Sequence, residues 1–241
     1  MRYFIELAYN GTKYHGWQIQ PDAVSVQEKL NKAISTVLQS KIEVVGAGRT
    51  DTGVHASQMF AHFNTEVPLG DHLTHKLNSI LPNDIAVAKV FEVPEEHHAR
   101  FSAESRSYEY RIWLGRNPFL LDFSWQIHSH KLELSKMNAA AILLLEYDDF
   151  QTFSKVKTEV HTFNCDVTAA VWKQEGHLLT FHISANRFLR NMVRAIVGTL
   201  VDVGMGKITI EEFRQIIESK NRGNAGLSVP AKGLFLTQIK Y

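Results

Sequence analysis

The sequence predicts an α+β fold of two similar halves, with a mixed, mostly antiparallel sheet and a cleft where the halves meet. Three observations predict it. Strand-like segments and amphipathic helices share each half, and the second half echoes the order of the first. With 44% hydrophobic residues over 241 positions, the chain can bury a substantial core. No apolar run reaches the roughly 18 residues that a membrane span requires, so we expect no membrane association.

The first half begins with a predicted strand at 2–9, because aromatic and β-branched residues alternate there with polar ones and an Asn-Gly turn signal follows. A helix is predicted over 26–38, since Ser25 and Glu28 have capping-box spacing and apolar residues then recur every three or four positions. The remaining predicted elements are strands at 42–45 and 59–63, a helix at 72–80 and a strand at 85–93.

A polar, irregular stretch at 94–105 marks the predicted crossing between the halves. The predicted domains are therefore 1–104, which carries a glycine-rich loop, and 105–241. In the second half we expect strands at 107–114, 166–172, 178–184 and 234–239, helices at 135–145 and 186–203, and a third helix capped by Thr209 and Glu212.

Composition alone identifies no partner. The net charge of +1 requires that any nucleic-acid binding come from a local concentration of Lys and Arg. The single cysteine, Cys165, has no second thiol for a disulfide or a thiolate metal site, and is predicted to be a buried apolar residue. The N-terminus lacks the layout of a signal peptide, so we expect a cytoplasmic protein.

The segment GAGRTDTGVHA (46–56) separates two apolar runs and contains three glycines. Glycines permit positive φ and close approach of another backbone, so the loop should be shaped and should display Arg49 and Asp51. A simpler interpretation is a tight turn in which Asp51 caps neighbouring N–H groups. The segment lacks the glycine pattern of a dinucleotide-binding loop and the G-K-[ST] ending of a phosphate loop, so phosphate cradling is disfavoured.

Residues 48–56 (GRTDTGVHA) resemble the signature of the tRNA pseudouridine synthase A family. Further motifs resemble that family in order along the chain: YNGTKYHGWQ (9–18), HARFSA (98–103), RSYEY (106–110), DFQTF (149–153), NRFLRNMVR (186–194) and PAKGL (230–234). The chain departs from the family pattern at Asn10, Thr52 and the pair Arg190-Asn191. These departures bear on the range of modified sites and on RNA docking more than on the chemistry.

The resemblance implies an isomerase that converts uridines 38, 39 and 40 of the tRNA anticodon stem-loop to pseudouridine. It also implies a homodimer that needs no cofactor. Because the sequence contains no H-E-x-x-H or comparable ligand spacing, we expect no metal site. Asp51 then acts at C1′ of a flipped-out nucleotide, either as a nucleophile or as a base. Arg194 pairs with that carboxylate, Tyr108 stacks on the uracil, and Arg49 fills the vacated space or holds a phosphate.

The residues themselves leave alternatives open. Arg187, Arg190 and Arg194 recur at helical intervals, which predicts one basic helix face that meets both Asp51 and phosphate. Tyr108 has the alternative of an ordinary strand aromatic, because Tyr110 lies on the same face. His55 is either a polar substrate contact or a structural residue that fixes the loop.

Two other functions compete with the isomerase. An RNA-binding module without activity would bind tRNA and yield no product. A nucleoside hydrolase that used Asp51 would release free uracil.

Overall fold

The computed structural model describes residues 1–70, 72–128, 131–155 and 161–241, and the chain forms two compact units. The first unit comprises Met1–Glu104 and Phe235–Tyr241, and the second comprises Ser105–Leu234. The sequence placed the last strand with the second half. From Phe235 onward it lies instead in the first unit, because β9 (Leu234–Lys240) pairs there in parallel with β3 (His55–Asn64).

Within the first unit the strand order is β4-β1-β3-β9, and β2 also pairs with β3. These pairs are antiparallel except for β3 with β9. The elements not yet given are β1 (Arg2–Tyr9), α1 (Val26–Leu38), β2 (Val45–Gly46), α2 (Leu73–Ile80) and β4 (Ile85–Val93). Both helices and the strands β1 and β4 confirm the predictions to within one residue, whereas the strand predicted at 59–63 begins earlier, at His55 of β3.

The hydrophobic core of the first unit is formed by alternating strand residues and one face of α1. Ser25 caps α1, accepting a hydrogen bond from the Glu28 N–H at 3.2 Å, as its spacing predicts. Apolar side chains from three elements are then removed from solvent almost completely. They include Ile5, Leu7, Leu30, Ile34, Met59 and Ala61, each at most 1% exposed.

The strand predicted at 42–45 is wrong over most of its length, since only Val45 and Gly46 form β2. Side chains of α1 take the backbone groups that a ladder would use. The Ile42 N–H donates to Ser35 Oγ at 2.9 Å, and the Val44 N–H donates to Asn31 Oδ1 at 2.9 Å. The preceding segment is therefore docked on the helix instead of paired in the sheet.

The second unit has the strand order β5-β8-β7, with β6 paired in parallel to β5 and the other pairs antiparallel. Its strands are β5 (Ser105–Leu114), β6 (Trp125–Ile127), β7 (Val167–Glu175) and β8 (Leu178–Ala185). Its helices are α3 (Leu134–Ile142), α4 (Met192–Gly204) and α5 (Ile210–Glu218). The predicted α+β class with a mixed, mostly antiparallel sheet is confirmed.

The capping box predicted at the start of α5 is also confirmed. The Thr209 N–H donates to the Glu212 carboxylate at 2.7 Å, and the Glu212 N–H donates to Thr209 Oγ1 at 3.1 Å. The sequence did not predict β6, a strand of three residues.

The helix predicted over 186–203 begins only at Met192. Asn191 has φ of 66°, which a right-handed helix cannot contain. Asn186 is held outside the helix, because its N–H donates to the Asp166 carbonyl at 3.1 Å and its side chain accepts from the Asp166 N–H at 2.9 Å. Arg187 and Arg190 therefore lie in a loop, and the predicted helix face with three arginines is wrong.

Each unit fixes a helix to its outermost strand through one asparagine. In the first unit, the Asn78 side chain of α2 contacts both the N–H and the C=O of Val87 in β4, at 2.7 and 2.8 Å. In the second, Asn138 of α3 makes the same pair of contacts with Trp172 in β7, at 2.8 and 3.1 Å. This shared arrangement agrees with the predicted similarity of the two halves.

No helix in the described part of the chain is both long enough and apolar enough to cross a membrane.

Candidate active site

The loop between β2 and β3, residues 47–54, carries Arg49 and Asp51 and is held by backbone hydrogen bonds. The Ala47 N–H donates to the Phe60 carbonyl at 2.8 Å, which fixes the start of the loop on β3. The Trp17 N–H donates to the Thr50 carbonyl at 3.3 Å, and the Gly53 N–H donates to the Tyr14 carbonyl at 3.2 Å. The N-terminal segment 11–17 therefore holds the loop on both sides of Asp51, and we call this contact the clamp.

The N-terminal segment needs two glycines to approach so closely. A Cβ at Gly11 would lie 2.0 Å from the Val54 carbonyl oxygen, and one at Gly16 would lie 2.2 Å from the Thr50 carbonyl oxygen. Gly16 also has φ of 85°, a conformation that disfavours any other residue. The N-terminal motif and the GRTD motif thus form one packed structure in the first unit.

Side-chain hydrogen bonds of Thr50 and Tyr14 also hold the loop and the N-terminal segment in place. Thr50 is buried, and its hydroxyl shares a 2.8 Å hydrogen bond with the Tyr9 hydroxyl. The Tyr14 hydroxyl donates to the Asp84 carboxylate at 2.5 Å. Burial, followed by the hydrogen bond and charge of Asp84, raises the pKa of Tyr14, so the phenol stays protonated as a donor.

The clamp leaves Arg49 exposed and Asp51 half-buried at the tip of the loop. Neither side chain fills the core of the unit. Because backbone hydrogen bonds already fix the loop, its carboxylate can be directed at a reacting atom without a large loss of entropy on binding.

His55, predicted as a substrate contact or a structural residue, starts β3 and is 1% exposed. Its Nδ1 accepts a hydrogen bond from the Gly11 N–H at 3.1 Å, and its ring stacks on Phe235 with centroids 4.5 Å apart. These contacts support the structural role, since the imidazole ties the N-terminal segment to the end of the GRTD loop.

In the second unit, Tyr108 and Tyr110 project from the same face of β5 but differ in environment. Tyr108 is half-buried and meets Phe188 edge to face, with centroids 5.1 Å apart and planes at 87°. Tyr110 is fully buried and donates to the Pro230 carbonyl at 2.8 Å, and burial raises its pKa. Tyr110 thus serves packing, whereas the Tyr108 ring retains access to solvent with its plane fixed by Phe188.

Arg194 lies in the first turn of α4 and is half-buried. Its Nε donates to the Val229 carbonyl at 2.7 Å, and the Val229 N–H donates to the Arg194 carbonyl at 3.2 Å. The Nε bond fixes the plane of the guanidinium, whose Nη1 and Nη2 form the fork that suits a carboxylate.

The other two arginines lie in the loop before α4. Arg190 is exposed, and its carbonyl accepts from the Lys155 N–H at 3.0 Å. Arg187 is half-buried near Cys165. Burial raises the pKa of Cys165 to about 11, although the charge of Arg187 opposes that shift, so the thiol is protonated at neutral pH. The prediction of Cys165 as a buried residue is confirmed, at 1% exposure.

Sequence reasoning missed two contributors to these sites. The edge contact from Phe188 had a signal, because Phe188 lies within the NRFLRNMVR motif. The Val229 carbonyl had none, since a backbone acceptor carries no residue-specific pattern.

Comparison with known proteins agrees with the motifs that hold Asp51 and Arg194. A family model described as tRNA pseudouridine synthase matches residues 7–102 and 140–241, which include Asp51 and Arg194 but not Tyr108.

The chain belongs to the tRNA pseudouridine synthase family.

Individual members of the family match over essentially the full chain. The tRNA pseudouridine synthase A of Bacteroides fragilis is 52% identical, over 100% of this chain and 96% of that protein. The protein of the same name from Parabacteroides distasonis is 49% identical over 100% and 96%. That from Acetivibrio thermocellus is 41% identical over 98% and 97%. The resemblance read from the sequence is confirmed, as is the prediction of an isomerase.

Gly16→Ala tests the clamp around the GRTD loop. We expect the substitution to lower the free energy of unfolding by roughly 2 kcal/mol or more, because it combines a positive φ with a carbonyl clash. Thermal unfolding followed by circular dichroism measures this effect. Gly48→Ala is the matched control, since its added Cβ would meet nothing within 4 Å. Equal stability of the two variants would contradict the clamp.

Proposed function

We propose that this chain isomerises uridine to pseudouridine in the anticodon stem-loop of tRNA, with Asp51 acting at C1′ of a flipped-out nucleotide. One observation carries the proposal: the backbone clamp holds Asp51 at the tip of a loop inside the segment that fits the family model. The names of the relatives support tRNA as the substrate class.

The reaction breaks the N1–C1′ bond, turns the uracil and forms a C5–C1′ bond, so it needs neither a redox partner nor water. The proton on C5 is lost and N1 gains one, which leaves the composition unchanged. An anionic carboxylate near C1′ stabilises or captures the electron-poor sugar during this exchange. Asp51 fits that role as a nucleophile and also as a base toward the sugar.

Tyr108 is proposed to stack on the uracil while the base turns. Its half-buried ring and the edge contact from Phe188 support this role, because a ring of fixed orientation loses little freedom when a base stacks on it. The Tyr108 hydroxyl is a candidate for the proton transfer at C5.

Arg194 is proposed as the partner that keeps Asp51 ionised, as the resemblance implies. The Nε bond to Val229 supports this proposal, since it orients the Nη fork in advance. A guanidinium next to a carboxylate favours the charged form of the acid.

The remaining basic side chains are proposed to bind the RNA. Arg49 is exposed beside Asp51, where it can enter the space left by the flipped nucleotide or hold its phosphate. Arg187 and Arg190, in the loop before α4, are proposed phosphate contacts. His55 contributes by fixing the loop, given its burial.

Asp51→Asn tests the proposed chemistry. We expect the variant to form no pseudouridine in an unmodified tRNA transcript but to bind that transcript with nearly unchanged affinity, because the amide has the same shape and no charge. Carbodiimide treatment followed by primer extension maps the product, and filter binding measures affinity.

The same assay separates the competing functions. Equal pseudouridine signal from wild type and Asp51→Asn would end the proposal. Free uracil from the wild type would indicate a hydrolase. Tight binding without any product would indicate an inactive RNA-binding module. Product outside the anticodon stem-loop would refute the proposed site while leaving the isomerase in place.

Tyr108→Phe separates stacking from proton transfer. The variant keeps the ring, so we expect tRNA affinity to be retained and single-turnover isomerisation to fall by roughly 10²-fold if the hydroxyl acts as an acid or base. Rapid-quench measurement of tritium release from 5-tritiated uridine reports the rate. An unchanged rate would confine Tyr108 to stacking or packing.

A homodimer in the cytoplasm, which the resemblance implies, is also proposed. Sedimentation equilibrium of the purified protein should give twice the mass of one chain. The mass of a single chain at micromolar concentration would contradict the dimer without affecting the proposed chemistry.

A further inference from the structure

The segment 225–230 of the second unit forms an arch over the start of α4 and is held at several points. Its central residues run along the helix. A Cβ at Gly198 would lie 1.9 Å from the Leu227 carbonyl oxygen, and the Gly226 N–H donates to Thr199 Oγ1 at 3.0 Å. Gly198 is one helical turn beyond Arg194, so the arch follows the helix face that carries Arg194.

The far end of the arch is hydrogen-bonded to both α4 and β5. Val229 exchanges two hydrogen bonds with Arg194, through the Arg194 Nε and the Arg194 carbonyl. Pro230 accepts from the hydroxyl of Tyr110, two residues along β5 from Tyr108. The position of Val229 therefore sets the plane of the Arg194 guanidinium.

The near end of the arch is contacted at three points by the side chain of Arg222. The Arg222 Nη1 donates to the carbonyls of Ala225 and Gly226 at 3.3 and 3.2 Å, and its Nη2 donates to Ser228 Oγ at 2.9 Å. Ser228 Oγ also accepts from the side chain of Asn191, the residue before α4. One guanidinium thus joins three points of the arch.

We propose that Arg222 is a positioning residue for Arg194. It keeps the arch closed on α4, so that the Val229 carbonyl presents the Arg194 fork in one orientation. Arg222 makes no contact with substrate in this scheme and acts only through Arg194. The inference rests on the proposed role of Arg194 in catalysis.

The geometry of Arg222 explains why a guanidinium is needed. Its planar fork reaches two backbone carbonyls with one nitrogen and a hydroxyl with the other. A lysine offers one nitrogen and cannot span all three acceptors. An alanine leaves the carbonyls to water, and the arch can then shift by fractions of an ångström, which is enough to slow an oriented reaction.

The test compares steady-state turnover of Arg222 variants on a tRNA transcript. We expect Arg222→Ala to lower kcat about tenfold with KM within about twofold, because orientation is lost and RNA contacts are kept. Arg222→Lys should recover part of the loss. Ser228→Ala, which removes one acceptor without changing charge, provides a milder second variant and should lower kcat by a smaller factor.

Arg214→Ala is the matched control. Arg214 lies in the same unit and also uses its Nη1 twice, donating to Glu146 and to the Tyr147 hydroxyl at 3.1 and 3.2 Å. It does not hold the arch by any of these bonds. We expect Arg214→Ala to keep the wild-type kcat even where thermal unfolding shows a similar loss of stability. Equal losses of kcat in the two alanine variants would overturn the inference, as would wild-type kcat in Arg222→Ala.

A double-mutant cycle with Arg194→Lys separates this inference from the function on which it rests. If Arg222 acts through Arg194, adding Arg222→Ala to Arg194→Lys should change kcat by less than about twofold. Multiplicative losses would overturn only the role of Arg222. Wild-type turnover in Arg194→Lys alone would refute the proposed role of Arg194 itself, and the inference with it.

Discussion

The structure of the first unit depends on the close contact between two backbones, those of the GRTD loop and of the N-terminal segment. Residues 48–53 of the loop carry little apolar surface, and its buried apolar side chains are those of Ala47 and Val54 at its two ends. Main-chain hydrogen bonds from Trp17 and Gly53 supply the order, and they form only because Gly11 and Gly16 carry no Cβ. The side chains of Arg49 and Asp51 lie outside the apolar core of the unit, the first exposed and the second half-buried.

In the second unit, a hydrogen bond from a side chain to a backbone carbonyl orients the candidate residue Arg194. The Nε of Arg194 is committed to Val229, and the start of α4 is committed to the arch through Asn191 and Ser228. In both units, the side-chain atoms that we propose for the chemistry belong to residues that hydrogen bonds already hold in place, through the backbone of the loop or through the Arg194 Nε. Such preorganisation lowers the entropy lost at the transition state and places charge before the substrate arrives.

The sequence predicted most of the fold because long elements carry periodic patterns and caps. β1, α1 and α5 all had such signals, and all were found. The failures have local causes. Residues 42–44 look like a strand, but the side chains of Asn31 and Ser35 take their N–H groups. Residues 186–191 continue a helical pattern, but the positive φ of Asn191 interrupts it. The loop and Asp51 were identified from glycine content and motif, whereas the partners of that loop depend on contacts between distant segments, which no local pattern records.

The asparagines that join helix to strand, Asn78 and Asn138, also affect whether another molecule can add a strand to either sheet edge. A strand at the side of a sheet normally offers unpaired N–H and C=O groups, which can recruit a strand from another molecule and begin aggregation. Asn78 and Asn138 occupy both groups at Val87 in β4 and at Trp172 in β7. A foreign strand would have to displace an amide held by a packed helix before it could extend either sheet there. At these two positions the edge strands therefore resist the addition of a further strand.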